Sequence, residues 1–78
     1  MWVLTVDKND GQLELINVAS ISYSEESKEM VIYCVDTSNF ILEGVSKQEY
    51  IRYIRRIYSD GKIDLSNTSY KGYWDNND

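Results

Sequence analysis

The chain has 78 residues, of which 42% are hydrophobic and 27% are charged, and its formal net charge is −5. This length predicts one domain with a small core, and the composition is ordinary for a folded globular protein. The acidic balance argues against nonspecific binding to phosphate backbones, and the single cysteine excludes an intramolecular disulfide.

The first part of the chain predicts a β-meander. Residues 2–6 alternate between two faces, which is typical of a strand, and the following turn ends in Asp-Gly, a pair that favours tight hairpins. Residues 13–16 and 18–24 alternate on either side of a bend expected at Asn17. In the second of these segments we expect Val18 to share a face with the serines at 20, 22 and 24.

Residues 29–35 are apolar on both faces. This pattern predicts the central and most buried strand of the sheet. Residues 36–39 form a polar turn, and residues 40–42 continue as a strand that stops at Gly44.

The helix that follows carries clear signals at both ends. Ser46 is a good N-cap, Glu49 three positions later completes a capping box, and Gly61 supplies the C-terminal stop. One stripe at helical spacing predicts the packed face. Its members are Tyr50, Ile51, Ile54, Ile57 and Tyr58.

After the helix, Ile63 and Leu65 alternate with Lys62 and Asp64, a pattern that fits either a short fifth strand or an extended segment packed on the domain. We therefore expect an α+β fold in a single domain over residues 1–65. It is a four- to five-stranded antiparallel meander packed on one C-terminal amphipathic helix. Residues 66–78 form an aromatic, polar C-terminal tail that is partly disordered or docked on the domain.

Several segments carry a resemblance to known proteins. They are Met1-Trp2-Val3-Leu4, Ile21-Ser22-Tyr23, Met30-Val31-Ile32-Tyr33 and the helix capped by Ser46. Together they resemble short uncharacterised β-meander-plus-helix proteins of Gram-positive bacteria and their phages, over about residues 1–58. The resemblance implies a fold and no activity. Small size and acidity also resemble phage-encoded inhibitors of bacterial defence systems.

The chain lacks residues for common catalytic and metal chemistry. It has no histidine, and Cys34 lies within an apolar strand, where a buried structural thiol is expected. Asp7 and Asp10 precede Gly11, but the spacing does not fit a calcium loop. We expect no enzymatic activity, no cofactor and no metal, and we expect Trp2 to serve as core or edge cover.

The outer side of the helix is the first candidate binding feature. Five of the eight basic residues lie between positions 47 and 62. Arg52, Arg55 and Arg56, with Tyr53 beside them, could hold an acidic partner or a phosphate backbone. The alternative is the solvated face of an amphipathic helix.

The tail aromatics Tyr70, Tyr73 and Trp74 are the second candidate feature. They could dock on their own sheet, bind a partner as a linear motif, or seal a dimer.

These features predict a non-catalytic protein–protein interaction module, a regulator or inhibitor of a host protein encoded by a phage or mobile element. The alternative is a nucleic-acid-binding module that uses the helix arginines and the sheet aromatics, which the acidic charge disfavours. No stretch is apolar enough to span a bilayer and the start lacks the features of a signal peptide, so we expect a cytoplasmic protein without a membrane partner. An unpaired edge strand on so small a domain also makes a homodimer a candidate assembly.

Overall fold

The computed structural model describes residues 1–7, 11–64 and 69–75, the last range for its backbone path only. Within these residues lie six strands and one helix. They are β1 (Trp2–Asp7), β2 (Gln12–Ser24), β3 (Glu29–Cys34), β4 (Ser38–Glu43), α1 (Lys47–Asp60), β5 (Lys62–Asp64) and β6 (Ser69–Asp75).

The strands form one sheet in the order β5-β1-β2-β3-β4-β6. Strands β1 to β4 are an antiparallel meander followed by the helix, so the predicted α+β class is confirmed. The expectation of a purely antiparallel sheet is wrong, because β5 pairs parallel to β1. The helix carries the chain back from β4 to the far edge of the sheet, where Gly61 accepts a hydrogen bond from the Leu4 N–H at 2.8 Å. Residues 69–75 of the predicted tail form β6, which pairs antiparallel with β4.

The long strand β2 contains a β-bulge. Val18 pairs with Cys34 but Ser20 pairs with Tyr33, so Ala19 is an extra residue in the ladder. Because successive side chains alternate between faces, the extra residue exchanges the two faces. Val18 is therefore buried, whereas Ser20 is exposed, and the expectation that they share a face is wrong.

The core lies between the sheet and the helix. Val3, Met30, Leu42, Val45 and Ile63 are fully buried, and Ile57 of the helix packs among them. In a chain this small, burial of these side chains supplies most of the stabilising free energy.

Local sequence signals define the helix as predicted. The Ser46 hydroxyl accepts a hydrogen bond from the Glu49 N–H, and the Glu49 carboxylate accepts one from the Ser46 N–H. The hydrogen bond from the Ser46 backbone N–H to the Glu49 carboxylate, and after it one from the Ser46 side chain, hold the pKa of Glu49 below its ordinary value of 4.5. Gly61 ends the helix with a left-handed φ of 63°.

The packed face of the helix differs from the predicted stripe. Tyr50, Tyr53 and Ile54 pack against the core beside Ile57. Ile51 and Tyr58 are 39% and 74% exposed, so their assignment to the buried stripe is wrong. No helix in the described part of the chain is long and apolar enough to cross a membrane.

Two stacked tyrosines connect the start of the helix to the sheet. The rings of Tyr23 on β2 and Tyr50 on α1 stack with centroids 4.5 Å apart and planes 8° from parallel. The Tyr23 hydroxyl donates a 2.7 Å hydrogen bond to the carbonyl oxygen of Val45. Burial, with the nearby carboxylates of Glu25 and Glu49, raises the pKa of Tyr23, so it remains a donor at neutral pH.

Candidate interaction surfaces

The face of the sheet turned away from the helix carries an exposed apolar patch. It consists of Trp2, Leu13, Leu15 and Val35, which are 62%, 65%, 61% and 60% exposed. Trp2 is therefore not part of the core, whereas the neighbouring Val3 is fully buried. We call these four residues the outer patch.

Strand register explains why the outer patch is continuous. Leu15 pairs with Leu4 and Leu13 pairs with Val6, so these side chains share one face of the two strands. Leu4 and Val6 are half-buried. Adjacent exposed apolar side chains on one face are typical of a contact surface, whereas single exposed ones are ordinary.

A cleft of about 280 Å³ opens at one side of the outer patch. Trp2, Leu15 and Val35 contribute apolar walls, and Glu14 and Asp36 contribute carboxylates. No basic side chain lines the cleft among the described residues. The cleft therefore combines apolar contact area with negative charge.

The structure brings the predicted helix residues together around a second hollow. Arg52, Tyr53, Arg55 and Arg56 line a volume of about 400 Å³, with Glu49 and Asp64 also on its wall. The Arg56 Nε lies 3.0 Å from the Asp60 carboxylate, an exposed ion pair one helical turn apart. Each arginine is exposed, while Tyr53 is half-buried against the core. Two carboxylates on the wall lower the net positive charge available to a phosphate chain.

The tail aromatics named from the sequence, Tyr70, Tyr73 and Trp74, lie on β6, whose register pairs Tyr73 with Phe40 and Trp74 with Asn39. Their side chains lie outside the described residues, so their binding role stays a prediction.

Cys34 is a buried free thiol at the end of β3. Burial raises its pKa, a hydrogen bond with Ser38 opposes this, and the charges of Asp36 and Glu14 raise it further. The thiolate, which is the nucleophilic form, is thus disfavoured at neutral pH. The described residues hold no group of three or more histidine, cysteine or acidic side chains that could bind a metal.

Sequence reasoning missed the outer patch. The signal that was available is the alternation of Leu13 and Leu15 with polar residues, combined with Trp2, Leu4 and Val6 on the preceding strand. In residues 2–6, Trp2, Leu4 and Val6 alternate with Val3 and Thr5, so neither face is charged, which indicates a strand with contacts on two faces.

Comparison with known proteins finds no match to a family model, a curated protein or a solved structure. The resemblance to β-meander-plus-helix proteins of Gram-positive bacteria and their phages stays a prediction.

Proposed function

We propose that this chain is a non-catalytic protein-interaction module that binds its partner through the outer patch. The observation that carries the proposal is the exposure of one tryptophan and two leucines side by side on one sheet face. Aromatic and large apolar side chains supply most of the binding free energy in protein interfaces. Because these three side chains are exposed, they are not part of the core of the domain and are accessible to a partner.

The chemistry of the partner follows from the surroundings of the outer patch. Glu14 and Asp36 stand beside it, and the chain as a whole carries a net charge of −5. A partner surface with an apolar centre and a basic rim is complementary to this arrangement, and its opposite charge accelerates association. The exposed arginines of the helix, which lies on the opposite side of the sheet, provide a separate contact for an acidic region.

We propose further that the protein acts in the cytoplasm as a regulator or inhibitor of a host protein, encoded by a phage or mobile element. Small size, acidity and the lack of histidine support a role exerted by binding rather than by chemistry. The tail aromatics Tyr70, Tyr73 and Trp74 belong to this proposal as further partner contacts.

Affinity capture from a Gram-positive host lysate tests the proposal. The bait is the tagged full chain, and the comparison is a variant with Leu13→Thr and Leu15→Thr. We expect wild type to retain one stoichiometric protein that the threonine variant loses. Equal retention by both baits contradicts binding through the outer patch.

The second candidate function is nucleic-acid binding through the arginine hollow. The clustering of three exposed arginines with Tyr53 favours it, and the two carboxylates on the wall argue against it. Changing Arg52, Arg55 and Arg56 to serine separates the two functions. If nucleic acid is the ligand, the eluate contains nucleic acid that salt releases, and the serine variant loses it.

A further inference from the structure

Hydrogen bonds at the end of β1 identify which backbone groups of β2 point away from β1. The Val18 N–H donates to the Met1 carbonyl oxygen at 2.7 Å, and the Met1 amino group donates to the Val18 carbonyl oxygen at 3.1 Å. Met1 and Val18 are thus a hydrogen-bonded pair. Such pairs alternate with non-hydrogen-bonded pairs along an antiparallel ladder, so Asn17, Leu15 and Leu13 direct their backbone groups away from β1.

The opposite side of β2 is occupied along only part of its length. The Asn17 carbonyl oxygen accepts a hydrogen bond from the Val35 N–H at 2.9 Å, as the alternation requires. Beyond Val35 the chain leaves the sheet in a turn, in which Asp36 Oδ1 accepts a hydrogen bond from the Ser38 N–H at 3.1 Å. No described strand continues the pairing past this point, so the outward N–H and C=O groups of Leu13 and Leu15 form an open strand edge.

This open edge coincides with the cleft, and its two sides differ in chemistry. On the outer face, the exposed side chains of Leu13 and Leu15 continue into Trp2. On the other face, Glu14 lies on the cleft wall with Asp36 nearby. Burial is the main cause that raises the pKa of Cys34, and the negative charges of Asp36 and Glu14 raise it further. The effect of these two carboxylates indicates a negative potential in the cleft.

We propose that the open edge of β2 accepts an extended segment of a partner protein as an added strand. The segment has apolar side chains beside Leu13 and Leu15 and a basic side chain beside Glu14. This apolar-basic-apolar pattern follows from the alternation of side chains along a strand. A segment of five residues spans about 17 Å, the length of an ordinary strand. The inference rests on the proposed function and specifies how the partner binds.

A heptapeptide of alternating valine and lysine, blocked at both ends, is the probe. Titration into the ¹⁵N-labelled full chain is followed by amide chemical shifts. We expect saturable shifts centred on Leu13 and Leu15 and extending to Val35. The matched control is the same peptide with glutamate in place of lysine, which we expect to bind roughly two- to fivefold more weakly for each unfavourable charge pair.

Two proline variants test the direction of the backbone groups. Leu15→Pro removes an N–H that points to the open edge, so the chain should remain folded while binding of the lysine peptide falls at least tenfold. Glu14→Pro removes an N–H directed at β1, so the fold should be destabilised. If Leu15→Pro fails to fold, Glu14→Lys serves in its place. This charge reversal should abolish the preference for lysine over glutamate peptide.

Several results overturn the inference. They are the absence of saturable binding, equal binding of the two peptides, shifts centred on the helix, and tight binding retained by Leu15→Pro. In the absence of peptide, the Leu13 and Leu15 amide shifts should not depend on protein concentration. If they do, the occupant of the edge is a second copy of the chain and not a partner protein. If peptide binding fails while lysate capture still depends on the outer patch, only strand addition is refuted. If capture also fails, the interaction module itself is refuted.

Discussion

The leucines of the outer patch should be nearly dispensable for folding, although they are among the larger apolar residues of the chain. We consider the double change Leu13→Thr and Leu15→Thr, which keeps residues suited to a strand. About a third of each side chain is buried, and full burial of a leucine contributes about 1.5–3 kcal/mol. The expected loss is therefore about 0.5–1 kcal/mol for each leucine and at most about 2 kcal/mol for the pair.

Urea unfolding followed by circular dichroism measures this loss at two protein concentrations. The matched control is Leu42→Ala at a fully buried leucine, for which we expect about 2–5 kcal/mol. A loss of more than about 3 kcal/mol for the double threonine variant refutes the reasoning. A midpoint that rises with protein concentration also refutes it, because the leucines are then buried between two copies of the chain.

Four further predictions concern the fold that carries the outer patch. Tyr23→Phe keeps the ring stack but removes the hydrogen bond to Val45, and thermal unfolding should show a loss of about 0.5–1.5 kcal/mol. Ser46→Ala should cost about 1 kcal/mol at neutral pH. Because the folded-state pKa of Glu49 is lowered, its contribution is present above its ordinary 4.5 and is lost as pH falls through the folded-state value. Glu49→Gln should therefore flatten the fall in stability of wild type below pH 4.5, and an unchanged acid profile contradicts this. Thr37 has a φ of 73°, which is costly for a β-branched residue, so Thr37→Asn should raise stability by about 1 kcal/mol in the same unfolding assay, and a loss contradicts the strain.

The elements that sequence predicted best are those specified by neighbouring residues. The helix begins after Ser46 and ends at Gly61, because a capping box and a left-handed glycine act within a few positions of each other. The β-bulge in β2 was not predicted, although the sequence contains a signal for it. Apolar residues lie at the even positions 16 and 18 and then at the odd positions 21 and 23. A period of two cannot continue through that sequence unless one residue is extra.

The candidate surfaces required tertiary information. Alternation separates Trp2 from Val3, but only the position of the helix determines which of them is buried. The helix stripe shifted toward Tyr53 for the same reason, because the side chains that pack are selected by the sheet beneath them. The open edge at Leu13 and Leu15 arises because β2 runs past the end of β3, and the relative lengths of paired strands follow from register.

Site-specific photo-crosslinking tests the central claim most directly. A photoreactive phenylalanine analogue is placed at Leu13 in one variant and at Arg55 in another, and each is irradiated in a Gram-positive host lysate. Our account predicts a discrete protein adduct from position 13 that the Leu15→Thr change weakens. Adducts formed only from position 55, or formed with nucleic acid, would contradict binding of a protein partner through the outer patch.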